Sequence, residues 1–179
     1  LQESTALWVT SNVLDAHGNL FPKTQKNHIL TVPGEQGAAV KVGFFGLTIN
    51  SNPKPYVQYT PYLDAAKTQI ALLRPQVDIL IAITHLPYDQ DIALAQSFPE
   101  LDMIIGGHEH AKIEEPVKIG NTYLVEAWQF GAYLGRLDIT LKGGKIEVKN
   151  KLVPVLNSIN PNAEMDKEVK ALVKQVMDA

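Results

Sequence analysis

Apolar positions along the chain alternate between two periods. "VKVGFFGL" (40–47) is a β-branched and aromatic run between Gly37 and the turn-forming "NSNPKP", and it predicts a strand. In "TPYLDAAKTQIALLRP", Leu63, Ala66, Ile70 and Leu73 recur at helical spacing. Thr60 is placed as N-cap, Pro61 at the first helical position, and Pro75 ends the run. That is an amphipathic helix packed on a sheet. "VDILIAITH" (77–85) is too short and too evenly apolar for an ordinary helix, and predicts a strand buried on both faces. Strand, helix, strand in that order implies a right-handed parallel crossover. "DQDIALAQSFP" then reads as a shorter helix, and "LDMII" as another buried strand that runs into Gly106 and Gly107.

The pattern changes after residue 120. "TYLVEA", "LGRLDITL" and "KIEVKNKLVPV" read as an antiparallel group of strands. The second has Leu137, Ile139 and Leu141 on one face and Arg136, Asp138 and Thr140 on the other. "KGGK" between the last two predicts a two-glycine hairpin turn. The fold class expected is α/β, a parallel βαβ portion followed by antiparallel strands, in layered sheets with helices outside. The end, "NPNAEMDKEVKALVKQVMDA", opens with the helix-start signals Asn160 and Pro161. It carries Met165, Val169, Leu172 and Val176 as an apolar stripe that needs a partner surface. The expected division is therefore 1–158 as one domain and 159–179 as a terminal helix.

Composition narrows the chemistry. A chain of 179 residues, 45% hydrophobic, is long enough for one substantial core. Its net charge of −3 has no basic stripe behind it, which argues against nucleic acid or an anionic membrane as partner. No run approaches the roughly 18 apolar residues of a membrane span. With no cysteine, thiolate sites and disulfides are excluded, and any transition metal must be held by His, Asp, Glu or Asn.

Ligands of open α/β sheets gather beyond the carboxyl ends of the parallel strands. His85 lies past the end of "DILIAIT", and His108 and His110 past the end of "LDMII", so all three are expected on one edge. Gly106 and Gly107 would let the backbone turn sharply and approach a ligand closely. Three imidazoles without thiols suit Zn, Mn, Fe, Co or Ni. The plainer reading is that a lone histidine at a strand end is a hydrogen-bonded loop residue. His-x-His after Gly-Gly is harder to explain that way. His17, in the turn "DAHGN", and His28, at the start of a strand in "KNHILTV", read as surface residues.

"VKVGFFGLT", "VDILIAITHLPYDQD", "LDMIIGGHEH" and "GAYLGRLDITL" together resemble, in order and spacing, the second half of the metallophosphatase domain of the 5′-nucleotidase family of calcineurin-like metallophosphoesterases. "WVTSNV" (8–13) is similar to the segment after that family's Gly-Asn-His-Glu motif. The resemblance covers about residues 7 to 155. It implies a four-layer αββα sandwich and a two-metal centre, with His85 and His108 as ligands of one ion and His110 of the other. It further implies hydrolysis of phosphate esters, nucleotides or related small molecules, by a metal-bound water or hydroxide. Many family members are exported, so the implied location is periplasmic or extracellular.

The sequence departs from that family in having no Asp-x-His or Gly-Asn-His-Glu motif before Trp8. Asn12 has no His beside it and is not the family's Asn ligand. Asp89, Asp91, Asp102 and Glu109 read as helix-start, strand-start or turn residues. The chain is expected to supply only part of the ligand set and to be weakly active or inactive alone, with the first half of the domain as a missing partner. Trp128 and Phe130 stand where the family commonly has a glycine nearby. They are candidates for a substrate edge, although aromatic residues in such a region are more often core. The alternative function is a non-catalytic half-domain that binds a partner. A metallo-β-lactamase-like site would need an Asp at 112, where Lys112 stands.

Overall fold

Six strands hydrogen-bond into one mixed sheet in the computed structural model of the protein, which describes residues 4–178. The strands are β1 (Trp8–Val9), β2 (Val13–Asp15), β3 (Thr24–Gln25), β4 (Asn27–Pro33), β5 (Ala39–Thr48), β6 (Val57–Tyr59), β7 (Ile79–His85), β8 (Met103–Ile105), β9 (Val117–Ile119), β10 (Thr122–Val125), β11 (Tyr133–Lys142) and β12 (Lys145–Pro154). The helices are α1 (Tyr62–Leu73), α2 (Tyr88–Ser97) and α3 (Ala163–Met177). The order across the main sheet is β4-β5-β7-β8-β10-β9. β5, β7, β8 and β10 run parallel, while β4 and β9 close the two edges antiparallel.

This corrects one boundary. The sequence pattern puts "TYLVEA" in the antiparallel group, yet its β10 pairs parallel with β8, Leu124 opposite Ile104. The reason is burial on both faces: Thr122, Leu124 and Val125 are all buried, and Thr122 Oγ1 donates to Leu101 O at 2.7 Å. After residue 120 the separate antiparallel unit is the β11–β12 hairpin, whose turn residues Gly143 and Gly144 both have positive φ, 56° and 74°.

Successive parallel strands added in one direction, each by a right-handed crossover, put both helices on the same face. There α1 and α2 enclose Phe45, Leu80, Ala82, Leu94, Ile104 and Leu124. On the other face the hairpin lays Leu137, Ile139, Leu141 and Ile146 over Val42, Ile79, Ile81 and Met103. The alternation of β7 serves both layers, Leu80 and Ala82 toward the helices, Ile79 and Ile81 toward the hairpin. The hairpin stops short of the carboxyl end, and Ile83 is left 45% exposed there.

Two helix starts differ from expectation. α1 begins at Tyr62 with Pro61 at its N-cap position, where the Pro61 carbonyl accepts from Asp64 N and Ala65 N, both at 3.1 Å. α3 is capped by Asn162, not by the Asn160-Pro161 pair, its Oδ1 accepting from Glu164 N and Met165 N. Among the described residues, α3 packs its stripe on nothing: Met165, Val169, Leu172 and Val176 are all exposed.

Candidate metal centre

β7 and β8 are in register with Ile83 opposite Ile105, so their carboxyl ends finish side by side. His85 is the last residue of β7 and is paired with Thr48 of β5. The loop after β8 carries His108 and His110, and brings His108 Nδ1 to 3.3 Å from His85 Nε2. The two rings meet edge-on, centroids 5.0 Å apart and planes at 73°. His110 stands outside that contact, its ring 5.9 Å from the ring of Phe130.

The glycines act differently from the expectation of a sharp turn. Neither Gly106 nor Gly107 is in the left-handed region; the histidines are, at φ 86° for His108 and 56° for His110. Gly106 is required for space: a Cβ there would lie 3.0 Å from Asp91 Oδ2 and 3.6 Å from Glu126 Oε2. Beside it, a Cβ on Gly107 would meet Thr84 O and His85 Nδ1 at ordinary contact distance. A non-glycine residue held left-handed costs on the order of 1–3 kcal/mol, and persists where the surroundings over-determine it.

Those surroundings are the segment after β10. Gly106 N donates to Val125 O at 2.8 Å, Ile113 N to Glu126 O at 3.2 Å, and Trp128 N to Ala111 O at 3.0 Å, with a bridge between Lys112 and Ala127. Trp128 and Phe130 are themselves left-handed, at φ 65° and 57°. Neither is core: Trp128 is exposed, tilted against Tyr133, and Phe130 is 91% exposed beside His110. The expectation that such aromatics are core fails here, because the segment has left the sheet and turned along the histidine loop.

Beneath the loop lie two carboxyls whose setting the sequence does not reveal. Asp91 reads as a helix-start acid, and it does occupy the first turn of α2, but it is 1% exposed, and Glu126 is 5% exposed. Asp91 Oδ1, Glu126 Oε1 and the neighbouring Thr84 Oγ1 are buried without a hydrogen-bond partner among the described residues. Burial pushes the Asp91 carboxyl up to about 7; the facing Thr84 hydroxyl lowers it only in part, and the charge of Glu126 raises it further. Glu126 is also raised by burial, against the pull of the Ala111 and His110 N–H groups that it faces. The only signal of this in the sequence is polarity out of place, an acid at the end of the buried run "TYLVE".

The other candidates have structural partners. Asn12 is buried, its Nδ2 donating to Thr48 O at 2.8 Å and to Thr60 O at 3.4 Å and its Oδ1 accepting from Thr48 N at 3.0 Å, which ties β5 to the segment that enters α1. His17 is exposed in a turn organised by Asp15, and His28 contacts Gln25 on β3. Asp89 accepts from Gln90 N, Asp102 pairs with Arg74 at 2.6 Å, and Glu109 is exposed.

The donor set can be tested against a metal. Two nitrogens bound to one ion at about 2.0–2.1 Å stand roughly 2.8–3.4 Å apart from octahedral to tetrahedral angles. The 3.3 Å between His85 Nε2 and His108 Nδ1 fits that separation. It equally fits a hydrogen bond between neutral rings. Among the described residues no three His, Asp or Glu side chains converge as a metal-holding group. The imidazoles are thus suited to a metal by type and spacing, and too few to complete its coordination.

No family model matches the sequence. The chain is 26% identical over 170 residues to the metallophosphoesterase YunD of Bacillus subtilis (strain 168), covering 93% of this chain and 36% of that protein. It is 30% identical over 155 residues to a 5′-nucleotidase of Vibrio cholerae, covering 65% of this chain and 28% of that one. Among solved structures, sulfate thiohydrolase SoxB of Thermus thermophilus matches with a TM-score of 0.82 at 20% identity, over 97% of this chain and 33% of that one. A 5′-nucleotidase precursor of Thermus thermophilus matches with a TM-score of 0.74 at 25% identity, over 95% of this chain and 38% of that one. The chain spans about a third of the length of these proteins. Its homologues over most of its length are metallophosphoesterases and 5′-nucleotidases, the family whose motifs it resembles at "ITHLPYDQD" and "GGHEH".

Proposed function

We propose that this chain is part of a two-metal phosphoesterase that hydrolyses phosphate esters, nucleotides or related small phosphoesters. In this reading His85 and His108 bind one divalent ion (Zn, Mn, Fe, Co or Ni) and His110 contributes to the other. The observation that carries it is the 3.3 Å approach of His85 and His108 at the carboxyl edge of a parallel sheet. The ions, when bound, polarise the phosphoryl oxygens and lower the pKa of a bound water. The chain's own residues position donors: β7 delivers His85, the loop after β8 delivers His108 and His110, and Phe130 presents exposed aromatic surface next to His110, with Trp128 exposed two residues before it. An exposed aromatic ring beside the proposed metal site suits a nucleobase. The same reading makes residues 1–158 the C-terminal part of the catalytic domain and α3 a terminal element beyond it. It also carries a periplasmic or extracellular location, and the first half of the domain as partner.

The test is metal content together with activity. The chain should bind divalent metal at less than two equivalents, and His85→Ala or His108→Ala should weaken that binding with the fold retained by circular dichroism. In a protein that contains this chain and the first half of the domain, His108→Ala or His110→Ala should remove most hydrolysis of 5′-nucleotides. Normal phosphatase activity with normal metal content in either variant would sink the reading. A second reading, a half-domain that binds a partner without catalysis, is favoured by the lack of a three-donor group among the described residues. It gains if the wild-type chain takes up no divalent metal at all.

A further inference from the structure

We infer that Glu126, backed by Asp91, is the positioning residue of the His108–His110 loop: its buried carboxyl, under Gly106 and facing the backbone N–H groups of His110 and Ala111, holds that loop in the left-handed course that brings His108 onto His85. This rests on the proposed metal site for its functional meaning, and on geometry alone for its structural claim.

Four observations lead to it. The loop is laced to the segment around Glu126 on both sides, Gly106 N to Val125 O and Ile113 N to Glu126 O, so Glu126 sits at the middle of the stretch that the loop follows. The carboxyl turns inward, 5% exposed, where an acid would normally turn out to water. Gly106 has no side chain at the point where Asp91 Oδ2 and Glu126 Oε2 converge, so both carboxyls reach the underside of the loop. Finally, the cluster joins three segments that must be mutually fixed for the histidines to meet. Thr84 precedes His85 on β7, Asp91 belongs to α2, and Glu126 lies against His110 and Ala111.

Two left-handed histidines in one short loop are unfavourable on their own, and peptide N–H groups aimed at a buried carboxyl offset that cost. Groups behind metal ligands that fix their orientation typically change metal affinity ten- to a hundredfold when removed. An amide oxygen can accept from the same N–H groups, so glutamine at 126 should substitute, whereas a methyl group cannot.

The test uses the 179-residue chain in three variants, Glu126→Ala, Glu126→Gln and, as a control for destabilisation alone, Leu94→Ala in the helix-side core. The first readout needs no metal: the nuclear Overhauser contact between the His85 and His108 rings and the amide proton shifts of His110 and Ala111. The second is Zn2+ affinity by calorimetry. Glu126→Ala should lose the ring contact, move both amide shifts and weaken Zn2+ at least tenfold. Glu126→Gln should stay within about threefold of wild type, and Leu94→Ala should leave both readouts in place. An unchanged ring contact and unchanged amide shifts in Glu126→Ala would overturn the inference. So would equal changes in Leu94→Ala, which would reduce Glu126 to general stability. If the wild-type chain binds no Zn2+, the metal reading fails, while the ring contact still decides the role of Glu126.

Discussion

The two ends of the parallel strands treat polar groups in opposite ways. At the amino ends of β7 and β8, Arg74 closes a satisfied network. Its Nη1 donates to Asp102 Oδ2 at 2.6 Å and Glu100 O at 3.1 Å, and its Nη2 to Val77 O at 2.8 Å and Asp78 O at 3.0 Å. Asp102 Oδ2 also accepts from Leu80 N, and Asp78 Oδ2 from Lys41 N. At the carboxyl ends, two buried acids, Asp91 and Glu126, share a space and, among the described residues, neither is paired with a Lys or Arg side chain. Three side-chain oxygens have no partner, and four of the five non-glycine residues with positive φ among the described residues gather there. One end is built for stability, and the other holds groups in arrangements that the chain would not choose for stability. Strain and unmet polar demand concentrated at one edge, on the side where α/β sheets bind ligands, is why that edge is the candidate site.

The largest effect that would break this contrast is pH. Asp91 has a folded pKa of about 7 against an ordinary 3.8, so the folded state holds the extra proton between those values. Stability from this group is present at low pH and falls as pH rises from about 4 through 7, by on the order of 4 kcal/mol at about 1.4 kcal/mol per unit. Thermal melts at a series of pH values should show that slope, and Asp91→Asn should flatten it and melt higher than wild type at pH 8. A wild-type profile flat from pH 4 to 8 would mean that Asp91 is not strained by burial.

At the satisfied end, Arg74→Ala should cost about 3 kcal/mol, because it leaves Asp102 and three carbonyls short of a donor. For a chain of this size that lowers Tm by roughly 6–12 °C. Metal binding by the histidines should be unaffected, and a parallel loss of Zn2+ affinity would contradict the independence of the two ends. Gly106→Ala is smaller, about 1–2 kcal/mol, since its Cβ would press on Asp91 Oδ2 at 3.0 Å. Combined with Asp91→Ala, which removes that oxygen, the cost of the alanine should largely vanish in denaturant titrations; full additivity would put the strain elsewhere. The smallest effect has the opposite sign. His108→Gly should relieve a left-handed residue and stabilise the chain by up to about 1 kcal/mol, while Zn2+ binding falls. A loss of stability would show that His108 is held there for packing.

Much of the core is legible because it depends on period. Leu63, Ala66, Ile70 and Leu73 mark the inner face of α1, and "VDILIAITH" and "LDMII" mark the buried strands that bring His85 and His108 to one edge. "TYLVEA" is misplaced by its pattern because an apolar strand of four residues reads alike in parallel and antiparallel company, and its pairing with β8 depends on a partner about 20 residues away. The caps of α1 and α3 stand one or two residues beyond the start signals in the sequence: Pro61 O accepts from Asp64 N and Ala65 N, and Asn162 Oδ1 from Glu164 N and Met165 N.

Of the candidate centre, the sequence by itself determined the possible donor types and their edge: without cysteine they are limited to His, Asp, Glu or Asn, and the strand order puts His85 at, and His108 and His110 just past, the carboxyl ends. Only the tertiary structure decided that His108 meets His85 while His110 faces Phe130, and that Gly106 serves space instead of rotation. It also decided that Asp91 and Glu126 lie buried together beneath the loop. The physical reason is that periodicity is written in neighbours three or four positions apart, whereas a buried charge takes its meaning from groups dozens of residues away. Asp89 and Asp91 look alike in the sequence, and burial alone makes one an exposed first-turn acid and the other a strained carboxyl under the candidate site.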